Sequence, residues 1–62
     1  MQLSETLFKD NKGRMIERIN FNNGLSDYFY SDYLHKINFI CSSWGLDANN
    51  YNDFQKAILI TN

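Results

Sequence analysis

A chain of 62 residues that contains one cysteine must hold its fold together by packing alone. Cys41 has no second thiol to pair with, so no internal disulfide can form. Cys41 and His35 together are also too few for a structural zinc site, which takes four ligands. Aromatic residues make up 16% of the chain and supply large areas to bury. We therefore expect one small domain over residues 1–62, with no metal and no cofactor.

Charge and hydropathy narrow the range of partners. The formal net charge is −1, which gives no broad attraction to nucleic acid. No apolar stretch approaches the ~18 residues that span a membrane. No basic segment leads into an apolar run, as it does in a secretory signal. Together with the unpaired cysteine, these features predict an intracellular, cytoplasmic protein.

The first predicted unit is an N-terminal β-hairpin. Residues 10–13 read Asp-Asn-Lys-Gly, residue types that tolerate left-handed backbone angles and mark hairpin turns between apolar-containing runs. The run that follows carries mostly apolar residues at alternate positions, as in a half-buried strand: Met15, Glu17, Ile19 and Phe21. A short helix over residues 14–20 is the alternative.

The strongest periodic signal is a stripe of apolar residues at helical spacing: Tyr30, Tyr33, Leu34, Ile37, Ile40, Cys41 and Trp44. Ser26 is a predicted N-cap, and Asp27 follows it in the first turn, where the helix dipole favours a carboxylate. Gly45 would end the helix, and Leu46 would fold back onto its last turn. The pattern predicts a long helix over residues 27–44.

The C-terminal segment predicts a second, short helix that begins near Asp47 or Asn49. Leu59 and Ile60 break its pattern and leave a closing strand over residues 56–61 as the alternative. The predicted fold is therefore α+β, with an antiparallel hairpin packed on a long central helix, then a short helix, or else ββαβ. The predicted core contains Leu7, Ile16 or its alternates Met15 and Ile19, Tyr33, Ile37, Ile40, Cys41, Trp44, Phe54 and Ile58.

No catalytic residues are predicted. Cys41 and His35 lie six positions apart in one predicted helix, about 240° around its axis, so they cannot form a nucleophile–base pair. Cys41 lies on the apolar stripe, where it is expected to be a small core residue. Asp32 and His35 could pair on the helix surface, but no third group completes a dyad. No phosphate-binding glycine loop or paired-carboxylate motif is present.

The opposite side of the predicted helix carries a candidate partner-binding face: Tyr28, Asp32, His35 and Phe39. A helix that faces water usually presents Lys, Glu or Gln, whereas exposed aromatic residues are typical anchors of interfaces. Two other interpretations stay open. In one, the helix is covered on both sides and Phe39 is part of the core; in the other, the face is a homodimer seam.

The hairpin carries a rival site, a group of cations that could contact nucleic-acid phosphates: Lys9, Lys12, Arg14 and Arg18. Charged residues are common on solvated hairpins, and Asp10 and Glu17 dilute this group. Direct nucleic-acid binding is therefore disfavoured. A helix–turn–helix over residues 27–60 is discounted because its second helix would bring too few cations to anchor phosphates.

The function predicted from these features is a small non-catalytic protein-binding module that inhibits or regulates a larger protein or nucleoprotein complex. Abundant Asn, Ile, Lys, Phe and Tyr, with no Pro or Val, indicate an A/T-rich genome. That bias extends the prediction to a phage-encoded antagonist of a host enzyme or defence complex, an anti-CRISPR-like role in the host cytoplasm. The alternatives are a nucleic-acid-binding accessory protein and a structural homo-oligomer.

Overall fold

The computed structural model describes residues 3–62 and has a three-stranded antiparallel sheet followed by two helices. The strands are β1 (Leu3–Lys9), β2 (Met15–Asn20) and β3 (Ser26–Tyr30), with β2 in the centre. The helices are α1 (Ser31–Trp44) and α2 (Tyr51–Thr61). The predicted α+β class, the hairpin, the central helix and the C-terminal helix are confirmed. The sheet also contains a third strand, and it precedes the helices.

The two strand connections use the same turn geometry. In the first, the Asp10 N–H donates to the Arg14 carbonyl at 2.9 Å, and the Gly13 N–H donates to the Asp10 carbonyl at 3.0 Å. In the second, residues 21–25 repeat both bonds, at 2.8 and 3.1 Å. The glycine that closes each turn has a positive φ, 83° at Gly13 and 87° at Gly24. This left-handed position strongly favours glycine and creates the bulge that lets a short loop join twisted strands.

Residues 26–30 form β3, so the predicted start of the helix at residue 27 is wrong. Ser26 pairs with Asn20 in the sheet and does not cap a helix, and α1 begins only after Tyr30. Three consecutive aromatic residues in this segment suit a pleated strand better than a first helical turn. Pairing with β2 along the whole of β3 therefore outweighs the local capping signal.

The later part of the helix prediction is confirmed. α1 ends at Trp44, Gly45 follows with φ of 69°, and the Leu46 N–H donates to the Cys41 carbonyl at 2.8 Å. This bond turns the chain back, and the Leu46 side chain packs against the core. Trp44, which was predicted to be in the core, is instead exposed at the end of α1.

α2 replaces the alternative closing strand, so the ββαβ topology is wrong. Its N-cap is Asn50, whose side chain accepts a hydrogen bond from the Asp53 N–H at 3.0 Å. The predicted caps, Asp47 and Asn49, lie in the preceding loop. Leu59 and Ile60, the residues that suggested a strand, belong to the helix and are exposed.

The core lies between the sheet and the helices. Its buried members are Ile19, Phe21, Leu34, Ile37, Cys41, Phe54 and Ala57. Among the alternates predicted for β2, Ile19 is the buried one. Tyr33, Ile40 and Ile58 pack at the margin of the core. Leu7, also predicted to be buried, lies at an irregularity of β1, a strand that contacts only β2 among the elements of the described chain.

Candidate functional site

The sheet has two faces with different surroundings, defined by the strand register. The inner face carries Ile19 and Phe29, which pack with the helices. The outer face carries two cross-strand rows, Phe8–Ile16–Tyr30 and Glu5–Arg18–Tyr28. Both helices of the described chain pack against the inner side, so the outer face is open to solvent.

The outer face presents aromatic side chains that the core does not use. Phe8 and Tyr28 are each 56% exposed, and Ile16 and Tyr30 are half-buried between them. Soluble monomers rarely leave neighbouring large apolar side chains open on one surface, and such patches mark contact sites. The outer face is therefore a candidate contact surface.

The two arginines of the outer face already have partners. The Arg14 guanidinium lies over the Tyr30 ring, 3.9 Å from its centroid, and its Nε is 3.7 Å from the Asp10 carboxylate. Arg18 forms an ion pair with Glu5. The face therefore combines aromatic area with locally balanced charge, a composition typical of protein contacts.

The predicted nucleic-acid set does not form one cationic surface. Lys9 pairs with Met15 and lies on the inner side of the sheet, whereas Arg14 and Arg18 lie on the outer side. Lys12 is in the first turn. Because two of these cations are balanced by carboxylates and one points away, this arrangement weakens the nucleic-acid interpretation.

Asp10 fixes the first turn and, through it, the position of Arg14. Its Oδ1 accepts the N–H groups of Lys12 and Arg14, each at 2.9 Å. The backbone hydrogen bond from Arg14 is the main cause that lowers the pKa of Asp10 below its ordinary value, with the bond from Lys12 and the Arg14 charge acting in the same direction. The carboxylate is therefore held ionised as part of the turn.

An aromatic groove with a volume of about 250 Å³ lies at the end of β3 where α1 begins. It is lined by Ile16, Tyr28, Phe29, Tyr30 and Tyr33. The rings of Phe29 and Tyr33 are stacked with centroids 6.1 Å apart, which joins the sheet side of the groove to the helix side. Four of its five lining residues are aromatic, so the groove is suited to an apolar side chain.

A polar cleft adjoins the aromatic groove and shares two of its residues. It is lined by Arg14, Tyr30, Asp32, Tyr33 and Lys36. Asp32 lies in the first turn of α1, where its Oδ1 accepts the Tyr33 N–H at 2.8 Å. Two cations and one anion border the cleft. Arg14 is paired with Asp10, whereas Lys36 forms no ion pair among residues 3–62.

One outward backbone donor on the free edge of β3 is engaged by a side chain of the same strand. The Phe21–Leu25 hydrogen bond sets the alternation of the hairpin, so the backbone groups of Ser26, Tyr28 and Tyr30 point away from β2. The Asp27 carboxylate accepts the Tyr28 N–H at 2.8 Å. A charged side chain that occupies an edge donor is one of the ways in which sheet edges are protected.

The predicted helix face is divided by the structure. Asp32, His35 and Phe39 lie on the exposed side of α1, but Tyr28 lies on β3 and contributes to the outer face instead. Phe39 is 69% exposed, which overturns its interpretation as a core residue. It stands among polar side chains, and a single exposed apolar residue is ordinary.

Four residues of the outer face, the groove and the cleft were not predicted as site residues: Phe8, Tyr30, Tyr33 and Lys36. Tyr30 can be recognised only when residues 26–30 form a strand, because a strand puts Tyr28 and Tyr30 together on one face. The run Tyr28–Phe29–Tyr30 was the available signal, since consecutive aromatic residues in a strand must occupy both faces.

The nucleophilic and metal-ligating side chains are dispersed. Cys41 is buried, and burial raises the pKa of its thiol, with the charges of Asp53 and Asp47 acting in the same direction. The thiolate form that attacks substrates is therefore disfavoured. His35 is on the exposed side of α1. Among residues 3–62, no group of three or more His, Cys, Asp or Glu side chains could hold a metal ion.

Comparisons of the chain with protein-family models, curated proteins and solved structures gave no match. In the part of the chain that the structure describes, neither helix is both long and apolar enough to cross a membrane. The outer face, the aromatic groove and the polar cleft are therefore the features from which a function can be inferred.

Proposed function

We propose that this chain is a small non-catalytic protein-binding module that inhibits or regulates a larger protein, and that it docks through the outer face of its sheet and the adjoining aromatic groove. The observation that carries the proposal is the pair of half-exposed rings, Phe8 and Tyr28, on a sheet face that the helices do not cover.

The residue types of this surface support a protein partner. Tyrosine, phenylalanine and arginine are enriched in protein interfaces, and a few such anchors carry most of the binding free energy. Aromatic rings bury about 150–250 Å² each and lose few rotamers on binding. Because Arg14 lies over Tyr30 and Arg18 pairs with Glu5, the polar groups of the surface are also held in place before a partner arrives.

The test compares two exposed aromatic residues on different sides of the molecule. Tyr28→Ala removes a ring of the outer face, and Phe39→Ala removes a ring of the exposed side of α1. We expect Tyr28→Ala to weaken capture of the partner at least about tenfold, as for an interface anchor worth roughly 1.4 kcal/mol or more. Phe39→Ala should leave capture unchanged.

The measurement is quantitative mass spectrometry of proteins captured from a lysate of the source cells by the wild-type chain and by each variant. Circular dichroism of both variants serves as the folding control. A partner lost with Phe39→Ala and kept with Tyr28→Ala would assign binding to α1 and contradict the proposal. A partner kept by both would also contradict it.

The narrower form of the proposal is a phage-encoded antagonist of a host enzyme or defence complex, acting in the host cytoplasm. Its support is the A/T-rich coding bias alone. Expression of the chain in cells that carry a defence system should then restore plaque formation by a targeted phage. Restoration that Tyr28→Ala abolishes would connect this activity to the outer face, and no restoration in any tested system would count against it.

A further inference from the structure

We infer that the partner segment that enters the aromatic groove is an extended peptide in which an aromatic or large aliphatic side chain is followed closely by a carboxylate. The apolar side chain would occupy the aromatic groove, and the carboxylate would lie in the polar cleft. This inference rests on the proposed function and names the chemistry of its partner.

The groove and the cleft lie side by side and share two lining residues. Tyr30 and Tyr33 line both, so a ligand that fills the groove has its next atoms at the cleft. The groove volume of about 250 Å³ lies below the ~300–1,000 Å³ typical of small-molecule sites, which favours a single side chain over a whole cofactor. Neighbouring residues of an extended peptide are ~3.3 Å apart along its axis, so one segment can reach both parts.

The cations and hydrogen-bond donors of the cleft suit a single carboxylate. Among residues 3–62, Lys36 has no ion-pair partner, and Asp10 approaches Arg14 only at its Nε, at 3.7 Å, so the terminal N–H groups of Arg14 can still donate. Asp32, the one anion on the wall, has one of its oxygens engaged by the Tyr33 N–H. A guanidinium and an ammonium group can both donate hydrogen bonds to a carboxylate. A nucleic-acid strand presents a phosphate at every step and requires a row of cations, whereas this cleft offers two.

Recognition must come mainly from side chains. Strand addition at β3 would need its outward backbone groups, and the Tyr28 N–H is held by Asp27. We therefore expect the segment to bind by its apolar side chain and its carboxylate, without extending the sheet. This distinguishes the site from the edges that bind peptides by adding a strand.

The experiment titrates the full ¹⁵N-labelled chain with two matched probes, acetyl-Gly-Phe-Asp-Gly-amide and acetyl-Gly-Phe-Asn-Gly-amide. Amide shifts should be concentrated at Tyr28, Tyr30 and Tyr33 for the aspartate probe. Its dissociation constant should be about threefold lower than that of the asparagine probe, as expected for one partly exposed ion pair.

A pair of charge reversals tests the cleft itself. Lys36→Glu should weaken the aspartate probe about fivefold, because it removes an attraction and adds a repulsion. Lys56→Glu makes the same change in net charge on α2 and should have no effect. Both lysines are exposed, so neither change should disturb folding, which circular dichroism checks.

Four results would overturn the inference: equal binding of the two probes, shifts that map outside the groove, no shifts at millimolar probe, or tighter binding of hexathymidylate than of the aspartate probe. If any of these occurs while Tyr28→Ala still abolishes capture of the protein partner, the inference fails and the proposed function stands. If capture is also insensitive to Tyr28→Ala, both fail.

Discussion

Both faces of the sheet carry large apolar side chains, but their surroundings differ. On the inner face, Phe29 packs against Phe54, their ring centroids 5.3 Å apart, and Ile19 is fully buried. On the outer face, Tyr28 lies on the same strand as Phe29, and Phe8 lies on β1, which pairs with β2. More than half of each of these two side chains is nevertheless in solvent. The difference shows that apolar character alone did not decide what became core. The helices cover one face, and the other remains available for a partner.

The largest expected effect is on the inner face. Phe54→Ala removes a fully buried ring that contacts Phe21 and Phe29, and such changes cost about 3–5 kcal/mol. Because a domain this small has only a few kcal/mol of net stability, we expect the variant to be largely unfolded. Circular dichroism during a urea titration measures this.

The matched substitution on the outer face is Phe8→Ala, which should change the free energy of unfolding by less than about 1 kcal/mol because the ring is largely exposed. The contrast between the two faces depends on this pair. If Phe8→Ala unfolds the chain as Phe54→Ala does, the outer face is part of the stabilising structure and is not a free contact surface.

Part of this contrast could be predicted from the sequence. The helical stripe places Ile37 and Cys41 in the core, because a period of 3.6 residues over several turns has few other solutions. Gly45 and Leu46 end α1 as predicted, since their signal is local. These parts of the fold depend on residues that are close together in the chain.

The outer face could not be predicted, because it depends on pairing between distant residues. Ser26 and Asp27 carry a good local capping signal, yet they pair with Asn20 and Ile19 in the sheet. A strand of five residues gains its hydrogen bonds only from its neighbour, so the sequence of β3 alone does not reveal it. Because the sequence predicts a helix from residue 27, it groups Tyr28 with Phe39 and does not predict the aromatic groove.

An intermediate effect is expected at the turn that places β3 beside β2. Gly24 has φ of 87° and open space where a Cβ would be added, so Gly24→Ala introduces backbone strain without a side-chain clash. The left-handed conformation costs a residue with a Cβ roughly 1–2 kcal/mol. Urea denaturation should show that loss, and Gly24→Asn should lose less because asparagine tolerates this region.

The same turn substitution also tests whether the two faces of the sheet depend on each other. Since β3 contributes Phe29 to the inner face and Tyr28 to the outer face, strain at Gly24 should lower stability without changing the affinity of the remaining folded protein for its partner. The affinity is measured at a temperature where the variant is fully folded. If the affinity still falls together with the stability, the outer face needs an exact placement of β3 that packing in the core does not enforce.

A pH-dependent effect is expected at Asp10, which holds the turn that carries Arg14. Its pKa is lowered in the folded protein by hydrogen bonds from the Arg14 and Lys12 N–H groups, so the ionised form stabilises the fold. By linkage, this contribution is present above the ordinary carboxyl value of 3.8 and is lost as the pH falls through the lowered value.

Asp10→Asn keeps an oxygen acceptor and removes the charge. The variant should therefore be less stable than wild type at pH 7, and the two should converge in acid, which urea denaturation at pH 7 and pH ~2.5 would measure. A difference that persists unchanged in acid would mean that the shape of the side chain, and not its charge, holds the turn and the Arg14–Tyr30 contact at the border of the outer face.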